Sequence, residues 1–118
     1  LKAARNPSDL YTAQRRIRHI EKADFHLTEL RLAQDQYIPW HQHTATSDTF
    51  YVLEGSIRVS LLDPAETQDV ASGKTFAVDG GRPHFVTNVG TAPSTFLLLQ
   101  GLGKVDFVPL ASPASARE

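Results

Sequence analysis

Short runs of strand-forming residues, broken by turn signals about every ten residues, leave this chain few folds to choose from. The turn signals are Asp63-Pro64, Ser72-Gly73, Gly80-Gly81, Asn88-Val89-Gly90 and Gly101-Leu102-Gly103. Between them lie runs at 25–33, 49–53, 56–62, 75–78, 85–89, 95–99 and 105–108. The run at 56–62 alternates, with Ile57, Val59 and Leu61 on one side and Ser56, Arg58 and Ser60 on the other. A period of two is what a half-buried strand requires. Evenly spaced short strands predict an all-β fold, a sandwich or a barrel. At 118 residues the chain is sized for one domain with one core.

Composition narrows the function. With no cysteine, the chain has no disulfide framework, no thiolate zinc site and no cysteine nucleophile. Any metal would rest on histidine, carboxylate and water. A net charge of −1 speaks against a nucleic-acid partner. No apolar run approaches the roughly 18–20 residues of a membrane-spanning helix, and the charged N-terminus is unlike a signal peptide. These features set the expectation of a cytoplasmic protein with no membrane partner. The chain begins with Leu and contains no Met, as a trimmed or processed chain would.

Residues 1–24 are polar and basic, with Lys2, Arg5, Arg15, Arg16, Arg18 and Lys22. Leu10, Ile17 and Ile20 fit a weak helical stripe or an extended arm along a sheet edge, and periodicity does not choose between them. The basic side chains are expected to form a solvated face. We therefore divide the chain into an N-terminal arm at 1–24, a barrel at 25–110 and a flexible tail at 111–118 that is small, polar and Pro-containing.

Of five histidines, His41 and His43 stand at i and i+2, which on a strand puts both on one face. Asp48 follows five residues after His43, and His84 follows the Gly80-Gly81 turn. Two hairpins facing each other across a barrel can bring His41, His43, Asp48 and His84 to one centre. Three imidazoles and a carboxylate suit Fe, Mn, Co, Ni, Cu or Zn, and suit Ca or Mg poorly. His19 and His26 have no partner pattern and are expected to be bystanders. Trp40 alternates with His41 and points to the other face. Phe50 and Val86 share a face with Asp48 and His84 respectively, as pocket wall or plain core. Gln100 is a candidate polar contact in the same pocket.

The segment from His41 to Gly55 resembles the first motif of the cupins, G(X)5HXH(X)3,4E(X)6G. The segment from Gly73 to Asn88 resembles the second, G(X)5PXG(X)2H(X)3N. The two occur in order at matched spacing, and the likeness spans residues 25–110. It implies a single jelly-roll barrel, or double-stranded β-helix, with a divalent transition metal at its open end. His41, His43 and His84 then correspond to the ligand histidines, and Asp48 to the ligand carboxylate. Asp35 stands where the first motif has glycine, and Asp79 where the second has proline. Both are turn positions, so they bear on turn shape more than on chemistry. Asp48 stands where the motif has glutamate and is one methylene shorter, a loss of roughly 1.5 Å of reach. It would draw the metal toward its strand, bind through a water, or leave the metal to three histidines.

Cupins include dioxygenases, isomerases, lyases, sugar binders and storage proteins, so the resemblance does not choose a reaction. It implies a small metal-dependent enzyme of the oxygenase, isomerase or lyase type acting on an oxygenated small molecule. The alternative is a non-catalytic module binding a sugar or an organic acid. It also implies a homodimer.

Overall fold

The structure is a computed structural model that describes residues 10–101 and 103–111. The tail expected at 111–118 lies almost wholly outside them. Ten strands follow one another: β1 (Arg15–Lys22), β2 (Phe25–Leu32), β3 (Tyr37–Gln42), β4 (Ser47–Glu54), β5 (Ser56–Leu61), β6 (Glu66–Ala71), β7 (Thr75–Val78), β8 (His84–Asn88), β9 (Ser94–Gly101) and β10 (Val108–Pro109). They form two five-stranded sheets, ordered β1-β2-β9-β4-β7 and β10-β3-β8-β5-β6. Every pairing is antiparallel. Apart from the β1–β2 and β5–β6 hairpins, consecutive strands cross between the sheets, which is the jelly-roll pattern expected from the turn spacing. Among the described residues, no helix is long and apolar enough to cross a membrane.

The inner faces meet in one apolar core. Leu30, Leu32, Phe50, Val52, Phe96 and Val78 come from the first sheet, and Ile38, Ile57, Val59, Leu61 and Val86 from the second. The alternation read at 56–62 appears directly, with Ile57, Val59 and Leu61 buried. Each such side chain contributes roughly 1.5–3 kcal/mol by leaving water.

Three segments go beyond the sequence reading, each for a physical reason. First, of the two forms open to the N-terminal arm, residues 15–22 take the extended one along a sheet edge, as strand β1 paired with β2. Its alternation is hidden in the sequence because arginines occupy both faces. Second, β6 was not expected. Its sequence Glu66–Ala71 buries only Val70, as an edge strand needing little apolar content can. Third, the run at 105–108 yields only the two-residue β10, and Phe107 folds inward to 5 % exposure instead. β3 tolerates Pro39 because its register with β8 shifts between Ile38 and His41, and a bulge spares the ladder a donor.

The two ends of the barrel differ. At one end Asn88 ties the chain together: its Nδ2 donates to the Leu32 and Ala92 carbonyls at 3.0 and 2.9 Å. Its Oδ1 accepts from Gly90 N and Ser94 Oγ. Gly55, with φ of 84°, approaches Ser94 there so closely that a Cβ would lie 2.3 Å from its Oγ. His84, at the opposite end of β8, faces the other mouth.

Candidate metal centre

Register alone brings the chemistry together. β3 and β8 place His41 directly opposite His84. β4 and β9 place Asp48 directly opposite Gln100. His43 follows β3 by one residue and points inward again at period two. The loop bearing it is fixed twice: Gly81 N donates to the His43 carbonyl at 2.6 Å, and Gly80 sits where a Cβ would come 2.9 Å from the Ala45 carbonyl oxygen. The turn before His84 is thereby bolted to the loop after His43.

His41, His43, Asp48 and His84 form one buried group, each 1–2 % exposed, with a donor atom from each within 4.8 Å of all the others. Asp48 Oδ2 lies 2.9 Å from His43 Nε2, 2.9 Å from His84 Nε2 and 3.9 Å from His41 Nε2. The shorter carboxylate does reach the cluster. Its other oxygen, Oδ1, accepts from Gln100 Nε2 at 3.0 Å, which aims Oδ2 at the histidines.

The far side of each ring settles the tautomer. His41 Nδ1 donates to the Pro39 carbonyl and His84 Nδ1 to the Arg82 carbonyl, both at 2.8 Å. His43 Nδ1 donates to the Asp106 carbonyl. Asp106 is itself anchored, its side chain accepting from Thr44 N at 2.8 Å and from the Thr44 hydroxyl. A carbonyl only accepts, so every Nδ1 carries a hydrogen, and each neutral ring turns a bare Nε2 lone pair inward. Backbone partners on the second nitrogen are the usual support of metal-binding histidines.

Three lone pairs and a carboxylate oxygen converging in a dry space repel one another unless a positive charge sits among them. The electrostatics agree. Burial works against charge on Asp48, but His43 and the close contacts of the three histidines outweigh it and hold the carboxyl well below its usual range. Burial also opposes charge on His43, yet Asp48 and the Asp106 contacts raise its pKa above the ordinary value. Burial pushes His41 down to about 4, and the neighbouring His84 and His43 add to that. The balance favours an ionised carboxylate and positive charge on its histidine side. A divalent transition metal would supply that charge, and the nitrogen-rich donor set fits it.

Of the other expected pocket residues, Phe50 and Gln100 line the cavity beside this group. Val86 does not: it is fully buried and pairs with Ile38 and Val59 in the core. Trp40 packs outside, stacked on Phe85 at 5.5 Å. His19 is an exposed partner of Glu29.

Sequence reasoning missed several cavity residues. Phe107 stacks on His41 with centroids 4.3 Å apart and planes 12° apart, closing the site from the β9–β10 connection. Tyr11, Arg16, Arg18 and Thr28 line the cavity from the N-terminal side. Arg16 and Arg18 are thus not part of a solvated face. The only sequence signal was their i, i+2 spacing, which Arg15 obscured.

A two-sheet antiparallel barrel with three histidines and a carboxylate gathered at one mouth is a double-stranded β-helix protein whose donor set fits a metal. Comparison with known proteins agrees: the family model of the cupin domain matches residues 28–100. The chain belongs to the cupin family. Germin-like protein 1 of Brassica napus is 31 % identical over 94 residues, covering 73 % of this chain. This chain spans 45 % of that relative's length. A double-stranded β-helix protein of Klebsiella pneumoniae superposes with a TM-score of 0.72 at 21 % identity, covering 88 % of this chain and 94 % of its own. Oxalate decarboxylase of Lactobacillus farciminis superposes with a TM-score of 0.67 at 17 % identity, covering 80 % of this chain and 30 % of its own. The Bacillus subtilis oxalate decarboxylase, at a TM-score of 0.68 and 21 % identity over 74 % of this chain and 24 % of its own, has Mn(II) centres.

Proposed function

We propose that this cupin is a small metal-dependent enzyme acting on an oxygenated small molecule, with His41, His43, His84 and Asp48 as the metal ligands. The observation that carries the reading is the convergence of three bare Nε2 lone pairs on Asp48 Oδ2, each ring locked from behind by a main-chain carbonyl. A bound divalent metal would supply Lewis-acid polarisation of a substrate oxygen or, if redox-active, oxygen chemistry.

The chain's own residues limit the rest. Gln100 holds the carboxylate in one orientation. Phe107 and Phe50 keep water from the histidine rings. Burial raises the Tyr11 pKa, so its phenol stays neutral and can donate to a ligand. Asp48 is the sole carboxylate among the cavity-lining residues, and it belongs to the ligand group. Oxygenase or lyase chemistry, driven at the metal, therefore suits the cavity better than an isomerase mechanism needing a separate carboxylate base. The relatives with oxalate decarboxylase activity lend support to the lyase side. The small cavity, about 30 Å³, favours a compact ligand and equally suits the second reading, a binding module without turnover.

Metal analysis of protein purified without an affinity tag tests the proposal. Wild type is expected to carry close to one equivalent, and a His41→Ala/His84→Ala variant almost none. Equal, low metal content in both would overturn it. Aerobic turnover of a bound ligand by the metal-loaded protein would decide for enzyme over binder.

A further inference from the structure

Four buried side-chain polar atoms among the described residues have no hydrogen-bond partner: Arg16 Nε, Arg18 Nε, Thr28 Oγ1 and Thr46 Oγ1. Three of the four residues line a single cavity, the one that also holds the metal group; Thr46 does not. Buried polar atoms are nearly always partnered, and leaving one orphaned is costly. Three orphans around one cavity point to a missing ligand.

Their placement follows from register. Arg18 pairs with Thr28, and Thr28 with Leu98, so both project from one row of the inner face. Arg16 lies two residues along β1 on the same face, opposite Leu30. The next row of that face in the other direction carries Gln100 and Asp48. Thr28 is 3 % exposed, so its hydroxyl has no access to bulk water. The guanidinium heads are only partly engaged. Arg16 Nη2 donates to the Tyr11 carbonyl at 3.3 Å and its head lies 4.5 Å over the Tyr11 ring, with no carboxylate partner among the described residues. Arg18 Nη1 meets His26 Nδ1 at 2.7 Å and Glu21 at 3.1 Å.

Inward-pointing charges on an edge strand can guard against edge-to-edge pairing, but that role does not require buried, unpartnered Nε atoms. Glu21 balances Arg18, while Arg16, with no carboxylate partner among the described residues, brings a guanidinium charge to the cavity wall. The forked N–H pattern of arginine matches a planar carboxylate. The cavity of about 30 Å³ has room for roughly two water-sized groups, which a small carboxylate fits and a bulkier anion does not.

We propose that Arg16, Arg18 and Thr28 form an anion subsite, and that the ligand is a small carboxylic acid bound as its carboxylate with its other end toward the metal group. This rests on the metal-site reading only for the ligand's orientation. The carboxylate accepts from both Nε–H groups and from the Thr28 hydroxyl, relieving all three orphans at once. These are positioning and specificity residues.

Calorimetric titration in chloride-free buffer tests this, with acetate as the carboxylate probe, acetamide as the neutral isostere and inorganic phosphate as a larger anion. Wild type, metal-loaded and metal-stripped, is expected to bind a carboxylate and not acetamide. Arg16→Gln and Arg18→Gln should each weaken it tenfold or more, and the near-isosteric Thr28→Val severalfold. Metal content should be unchanged in all three, and Thr28→Ser should restore binding. Equal affinity for acetate and acetamide, tighter binding of phosphate, or undiminished carboxylate affinity in a folded Arg16→Gln/Arg18→Gln variant would each overturn the proposal. Arginine-dependent carboxylate binding in a protein that never takes up metal would sink the metal reading and leave the subsite standing.

Discussion

Asp48 is where one residue's chemistry governs the most. Among the described residues its Oδ2 is the one negative charge within 4 Å of the three Nε2 atoms, and its Oδ1 is committed to Gln100. Asp48→Asn keeps the shape and removes the charge, so metal affinity should fall tenfold or more, read by competition with a chelator, while the fold persists. Asp48→Glu restores the residue type the cupin motif expects. The Asp48 carboxylate is already in contact with His43, His84 and Gln100, however, so another methylene must displace those contacts, and overpacking should cost about 1–3 kcal/mol in denaturant unfolding. A more stable Asp48→Glu protein would show the cluster to be looser than its contacts imply. The histidines were legible in the sequence because ligand geometry imposes spacing, and spacing survives in one dimension. The reach of Asp48 was not, because it depends on how close β4 comes to β8 across the barrel, and no local pattern encodes the distance between sheets.

At the scale of elements, β8 shows how one short strand separates stability from function. Asn88 closes one end of the barrel, and His84 joins the metal group at the other. Asn88→Ala leaves the buried Leu32 carbonyl and its neighbours unpartnered, and should cost about 2–3 kcal/mol with metal content unchanged. Gly80→Ala acts in the opposite sense. Its Cβ would meet the Ala45 carbonyl oxygen at 2.9 Å and push the turn before His84 away from the loop after His43. It should lower metal affinity together with stability, by about 1–3 kcal/mol. Equal metal loss in both variants would mean the two ends are not independent. Strands with an apolar stripe, such as β5, were readable in advance. β6 was not, and β1 was readable only as one of two alternatives, since edge strands draw their stability from a ladder with a neighbour and their side chains carry little of the signal. The inward turn of Phe107 escaped for a related reason: a loop residue is recruited by a ring, His41, that lies far away in sequence.

For the molecule as a whole, the open question of assembly falls on the outer face of the first sheet. Register sets Ile17 opposite Glu29, Glu29 opposite Leu97, and Leu97 opposite Tyr51, so a row of large side chains runs across β1, β2, β9 and β4. Ile17, Tyr51 and Leu53 are 42, 37 and 44 % exposed. Glu29 is paired in the middle of this row with Arg15 at 2.9 Å and lies 3.0 Å from His19 Nε2, which lowers the cost of covering it. An apolar row with a compensated charge suits a two-fold partner presenting the same row, and a second copy of this chain is the occupant we expect. Light scattering at micromolar concentration should then give twice the 13.0 kDa chain mass. Ile17→Lys/Leu53→Lys places like charges face to face across the axis and should return the 13.0 kDa species. Both side chains point away from the cavity, so the monomeric variant should retain its metal. A wild type that scatters as a single chain would remove the dimer and leave the site intact, because every ligand of the metal group comes from one chain.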